Sequence, residues 1–283
     1  ALMTNRGEVM EYLEVIGGAR PLRERPAPCV AIPTTAGTGA EVTRNAVIES
    51  REHGVKVSLR HPWMLPALAI VDPALTAGLP REETACTGLD ALTQLIEPFV
   101  SRAANPLTDG IGREGISRVA RSLRRACEEG ADRGAREDMA LASLFGGLAL
   151  ANARLGAVHG FAGPLGGMFH GVAHGAICAA LLPAVMRANV RVLRERAGDG
   201  EALARFDALG QLLGGSPGDG ADAAVSWVEG LCRDLGVRGL VALGVDLGRK
   251  GEIVSKARAA SSMKGNPIEL TDEELGAVLD AAA

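Results

Sequence analysis

The sequence predicts an α/β domain followed by an all-α helical domain, and three observations carry that reading. Short β-branched runs cut by prolines and glycines fill the stretch from about residue 27 to Pro80. From Arg81 onward, apolar residues recur at spacings of three and four, the period of a helix with one buried face. A chain of 283 residues with 47% hydrophobic content can hold one large domain or two modest ones, each with a real core. The boundary is therefore expected between residues 1–80 and 81–283.

Each element has its own signal. In ALMTNRGEVMEYLEVIGG, residues Leu2, Met3, Val9, Met10 and Leu13 read as the apolar face of a helix already under way, with no start signal before them. That pattern is expected of an N-terminally truncated chain. CVAIP is β-branched and bounded by prolines, and EVTRNAVIES, GVKVSL and LAIVDP follow as further strands. LAIVDP has the look of a buried strand ending at a turn. The first long helix is marked by Ala85, Leu89, Leu92, Ile96 and Phe99. ISRVARSLRRACEEG is amphipathic, with Ile116, Val119, Leu123 and Cys127 on one face. DMALASLFGGLALANARLGAVHG is apolar on nearly every face, so it is expected to be the central, buried helix. Further helices are expected near 174–191, 200–213, 219–235 and 250–261. Thr271 with Glu274 makes a capping box for a last one. The glycine-rich stretches GDGEA near residue 200 and GGSPGDGAD near 216 read as loops.

Composition excludes some functions. The net charge of −4 leaves no basic footprint for nucleic acid. Five scattered cysteines, odd in number and without a CxxC pair, argue against a secreted disulfide framework and for the reducing cytoplasm. The longest apolar run, 176–186, is too short to span a bilayer and contains Pro183, so no membrane association is expected.

The chemistry-bearing residues fall in two places. PTTAGTGAEVT, residues 33–43, follows a predicted strand directly. Its glycines allow close backbone approach, and its threonine hydroxyls and free N–H groups suit a phosphate, although an ordinary Gly/Thr turn reads the same way. This loop makes the first domain a candidate nucleotide-binding, Rossmann-like but partial, α/β unit. Downstream, Asp90 and Gln94 are four apart and share one face of a predicted helix whose neighbours Leu89, Leu92, Leu95 and Ile96 are apolar. A buried carboxylate needs a charged partner or a metal. Three of the chain's five histidines, His159, His170 and His174, fall within sixteen residues. A glycine-rich turn between two helices can fold His159 and His174 over one another. With Asp90 they form a candidate metal site, against the alternative of hydrogen-bonded core histidines. His170 is open to three roles: a ligand, a substrate contact or a loop residue.

Taken together these motifs resemble the iron-containing (group III) alcohol dehydrogenases, a family that includes maleylacetate reductases. PTTAGTGAEVT looks like the family's nicotinamide-dinucleotide loop. TGLDALTQLIEPFVS and VHGFAGPLGGMFHGVAHGAICAALLPAVMRAN look like its metal segments, and KGNPIELTDEEL like its C-terminal signature. The resemblance implies metal ligands at Asp90, Gln94, His159 and His174, holding Fe²⁺ or Zn²⁺. It implies NAD or NADP contacts at Thr34, Thr35 and Thr38, with Lys56 and Leu75 lining the same cleft. His170 becomes the candidate proton relay, since Gly163 stands where many members have a second histidine. Gln94 stands where tight iron binders have histidine, so metal is expected to be held weakly. The family's glycine-rich pyrophosphate segment does not occur in this sequence. The implied activity is NAD(P)-linked hydride transfer between a small alcohol and its aldehyde, in a cytoplasmic homodimer. Two alternatives stand beside it: a maleylacetate-reductase-like enzyme with little metal dependence, and a non-catalytic fragment lacking part of the cofactor domain.

Overall fold

The computed structural model describes residues 1–198 and 200–283. Four strands precede Arg81: β1 (Val30–Ala31), β2 (Asn45–Ser50), β3 (Val55–Arg60) and β4 (Leu68–Ala69). A one-turn helix, α1 (Val9–Tyr12), comes before them. Among the described residues nine α-helices follow: α2 (Arg81–Val100), α3 (Pro106–Glu128), α4 (Arg133–Ala153), α5 (Ala157–Met168), α6 (His174–Arg196), α7 (Glu201–Gly214), α8 (Ala221–Leu235), α9 (Lys250–Ala259) and α10 (Asp272–Ala281). The order is the predicted one, strands first and helices after. The loop expected near residue 200 includes Asp199, which lies outside the described residues.

The strands form two separate pairs. β1 and β4 run parallel, Val30 opposite Leu68 and Ala31 opposite Ala69. Pro28 and Pro33 flank β1 and donate no backbone hydrogen bond, which keeps the strand short. β2 and β3 are an antiparallel hairpin, with Asn45 opposite Arg60 and Ser50 opposite Val55. Alternation along β3 buries Val57 and Leu59 against Tyr12, Leu13 and Leu22 in a small second core.

Three local expectations need correction. The N-terminal helix is one turn long: Leu2 and Met3 are 47% and 88% exposed, and Gly7 at φ +119° sets off the single turn that follows. LAIVDP is not a buried strand: the strand spans Leu68–Ala69 in a two-stranded pair, and Leu68 and Ile70 are about half exposed. The apolar run 138–160 is not one helix. It breaks at Arg154, whose φ of +63° ends α4, and α5 leaves at 101° to it.

The central helix is α2. It is buried on nearly every face and packs against α3, α4 and α6. α4 is rich in Ala and Gly and buries one side only, with Leu141, Leu144, Leu148 and Leu150 half-buried. Because α2 is the axis of the core, a polar residue on it is surrounded by protein. α6 is long and apolar enough to cross a membrane, but 83% of its apolar window is buried inside the protein, as in a core helix. The capping box of α10 forms as expected: Glu274 N–H donates to Thr271 Oγ1 at 3.2 Å, and Thr271 N–H to Glu274 Oε2 at 2.7 Å.

Candidate metal and cofactor site

Asp90, His159 and His174 come from three helices, α2, α5 and α6. α2 presents Asp90 near its middle, where the residue is 2% exposed. α5 starts at Ala157, so His159 lies in its first turn. Glu97, two turns beyond Asp90 on α2, holds that turn. Its Oε1 accepts the Val158 N–H at 2.7 Å, and its Oε2 lies 2.7 Å from His159 Nδ1. Asn266 adds a bond from Ala157 N–H at 3.2 Å and is itself paired with Asn189. A carboxylate at a helix N-terminus satisfies free N–H groups and complements the dipole. His174 opens α6, and Gly175 lets it start flush against α2. A Cβ on Gly175 would sit 2.4 Å from the Cys86 carbonyl oxygen.

The three side chains converge, and Cys178 joins them. Asp90 Oδ1 is 3.4 Å from His159 Nε2 and 3.8 Å from His174 Nε2. Cys178 Sγ is 3.9 Å and 3.7 Å from the same two nitrogens. One donor atom from each of the four lies within 4.8 Å of the others. Asp90, His159 and Cys178 are buried, while the His174 side chain is 35% exposed and forms the open side.

The donor set fits a divalent metal. Tetrahedral bonds of about 2.0–2.3 Å place donors about 3.3–3.8 Å apart. That is close to the separations above, and the two Asp90–histidine distances are long for N–H···O hydrogen bonds. Asp90 Oδ1 is buried and has no hydrogen-bond partner. In the tautomer that donates Nδ1–H to Glu97, His159 turns its Nε2 lone pair toward the Asp90 oxygen. Two electron-rich atoms facing one another in a buried site call for a cation. Without a metal, protons on the imidazoles answer the same demand for positive charge beside Asp90. Burial alone would push Asp90 up and His159 down, yet His159 and His174 hold Asp90 below its ordinary value. Cys178, Asp90 and Glu97 raise His159 well above its ordinary value, and Cys178 with Asp90 raises His174.

Gln94 has another partner. Its amide nitrogen donates to the Gly37 carbonyl at 2.9 Å, tying α2 to the threonine-rich loop. That loop lies on helices through its glycines. A Cβ on Gly37 would be 3.0 Å from Thr87 Cβ, and one on Gly39, at φ +57°, 2.5 Å from the Ser143 carbonyl of α4. Thr87, Asp90 and Gln94 share one face of α2, so loop and metal-type cluster lie along the same face. Thr34, Thr35 and Thr38 are exposed on the loop. Lys56, half-buried on β3, has its Nζ packed over Gly166 of α5. Leu75 is 45% exposed on the short helix Pro73–Thr76. His170 lies in the exposed turn between α5 and α6, where Nδ1 pairs with Glu49 Oε1 of β2 at 2.7 Å. Its partner is thus on the hairpin, not in the cluster.

Sequence reasoning missed two of these residues. Cys178 is four residues after His174 on one helix, a chelate spacing readable in advance. Glu97 is seven residues after Asp90, a second carboxylate on the same face of an apolar helix.

Comparison with known proteins gives the family. Residues 1–73 match the family model described as "Iron-containing alcohol dehydrogenase", and residues 84–283 match "Fe-containing alcohol dehydrogenase family, C-terminal". The chain is 37% identical over 284 residues to the 1,3-propanediol dehydrogenase of Klebsiella pneumoniae, covering 99% of this chain and 70% of that protein. A crystal structure of a 1,3-propanediol oxidoreductase superposes with a TM-score of 0.89 at 34% identity, covering 99% of this chain and 72% of the other. The sulfoacetaldehyde reductase of Bifidobacterium kashiwanohense, solved in complex with NAD⁺, gives a TM-score of 0.82 at 29% identity, covering 98% and 69%. All three are oxidoreductases by name. On both halves of its length and on its fold, this chain belongs to the iron-containing alcohol dehydrogenase family.

Proposed function

We propose that the chain carries the metal-holding part, and some of the cofactor-holding part, of an NAD(P)-linked dehydrogenase interconverting a small alcohol and its aldehyde. One observation carries this reading. The buried, unpartnered Asp90 Oδ1 faces His159 and His174 at metal-ligand separations, on the same face of α2 as the exposed threonine loop. Family membership supports the reaction class, and the neighbour solved with NAD⁺ supports the nicotinamide. We divide the labour at the end of the strands, with residues 1–80 serving the cofactor and 81–283 the metal and substrate.

When bound, a divalent metal, Fe²⁺ or Zn²⁺, would supply a Lewis acid for the substrate oxygen and the nicotinamide a hydride acceptor or donor. Asp90, His159 and His174 would hold the metal. Glu97 keeps the His159 tautomer with its Nε2 lone pair inward. The open side at His174 admits the substrate. Thr34, Thr35 and Thr38, with Lys56 and Leu75, line the cofactor side, where hydroxyls and an ammonium suit phosphate. We assign the proton-relay role to His170, which pairs with Glu49 at the exposed turn. Five free cysteines fit a reducing cytoplasm, and we expect a homodimer.

Calorimetric titration of the metal-free chain with Zn²⁺ tests the site. The expected result is one ion per chain, with binding lost in Asp90→Ala and His159→Ala while helical dichroism is retained. Undiminished binding in both variants would overturn the reading.

A further inference from the structure

We propose that Cys178 is the fourth protein ligand of this metal, in the place expected of Gln94, and that its thiolate biases the site toward zinc. The inference rests on the metal reading above and deepens it.

Several observations point the same way. His174 and Cys178 are four apart on α6 and so project from one face. The sulfur is within 4 Å of both inward imidazole nitrogens. Cys178 is fully buried, with the two imidazole nitrogens and the Asp90 carboxylate gathered around its sulfur. One thiol hydrogen cannot serve two nitrogens and also the orphaned Asp90 Oδ1, which is 2% exposed and aimed at the same point. A single cation satisfies all four atoms. Gln94 is the weaker competitor, since its amide nitrogen is tied to Gly37 and only its neutral amide oxygen is left as a donor. The alternative is a small apolar core residue. Cys178 does belong to the main hydrophobic cluster. However, the polar atoms around its sulfur are not those of an apolar niche. One oxygen, two nitrogens and one sulfur make a tetrahedral set of the kind zinc takes, and a soft thiolate favours Zn²⁺ over Fe²⁺.

Cobalt reports on sulfur ligation without any assay of activity. The reduced, metal-free 283-residue chain is titrated anaerobically with Co²⁺. The expected spectrum has visible ligand-field bands of a four-coordinate site and a near-ultraviolet thiolate-to-cobalt charge-transfer band, saturating at one equivalent. Cys178→Ser should keep the visible bands and lose the charge-transfer band. It should also release zinc to a chromogenic chelator at least about tenfold faster. Cys29→Ser, which removes the exposed thiol, should change neither. Visible bands without charge transfer in the unmutated chain would overturn the Cys178 assignment while leaving the metal site standing. So would a charge-transfer band surviving in Cys178→Ser. No cobalt spectrum at all would overturn the metal site itself, and this inference with it. The unmutated chain decides sulfur ligation even if the serine variant folds poorly.

Discussion

Two carboxylates show how much a single residue's partners decide. Glu97 touches no metal-facing atom, yet it holds both the first turn of α5 and the Nδ1 of His159. Glu97→Gln preserves size but removes the charge that fixes the tautomer. We expect zinc affinity to fall about 10–100-fold, with helical dichroism unchanged. A competition titration against a chelating dye measures it, and unchanged affinity would mean that Glu97 only caps the helix. Asp138 is a structural counterpart. It joins α4 to α3 by accepting from Arg118 at 2.7 Å, from Arg121 twice at 2.7 Å and from Ser122 at 2.6 Å. Burial pushes its carboxyl up, but these donors outweigh burial and hold it below its ordinary value of 3.8. A lowered folded pKa means stability that is present above the unfolded value and lost as pH falls through the folded one. Asp138→Asn should therefore cost about 1–2 kcal/mol at pH 7. The gap between variant and parent should close below about pH 4. Urea melts across that range test it, and a gap that stays constant into acid would refute the charge argument.

At the scale of the element, glycine governs how closely helices approach. The α2–α6 contact beside Asp90 depends on Gly175, since a methyl there would meet the Cys86 carbonyl. Gly175→Ala should push α6 off α2, separating His174 and Cys178 from Asp90. The expected cost is about 1–3 kcal/mol, accompanied by weaker metal binding. Gly251→Ala in α9 is the control, because nothing lies within 4 Å of its Cβ position. It should leave metal binding alone and hold or raise the melting temperature, alanine being the better helix former. Equal metal affinity in parent and Gly175→Ala would show that the cluster does not depend on this packing.

Across the whole molecule, order is unevenly distributed. The helical part is built around α2, with a large contiguous core. The strand part has a small core of five buried residues, and its parallel pair exposes Val30, Ile32, Leu68 and Ile70 by 44–54%. Parallel strands are ordinarily covered on both faces, and an exposed apolar edge invites pairing with another chain. Amides of residues 30–32 and 68–71 should therefore exchange within minutes, while those in the middle of α2 exchange slowest. The chain should also self-associate as concentration rises. Strong protection of those strands in a monomeric sample would contradict this. Hydrogen exchange with sedimentation velocity makes both measurements.

What the sequence determined by itself was local. Period-two and period-3.6 patterns separated strands from helices near Arg81, and the Thr271–Glu274 box marked the last helix, because those signals act over a few residues. Residue types and clustering picked out Asp90, His159 and His174, since a buried carboxylate and crowded histidines are costly without a purpose. Which faces meet was decided only in three dimensions. Glu97 bonds His159 across 62 residues, and Gln94 bonds Gly37 across 57. No short-range pattern encodes either pairing. The same holds for α2 taking the central place predicted for 138–160. All-round apolarity made 138–160 eligible, whereas α2 carries Asp90, Gln94 and Glu97 among its buried residues. The break at Arg154 and the half-open outer face of α4 then left α2 as the helix that the others surround.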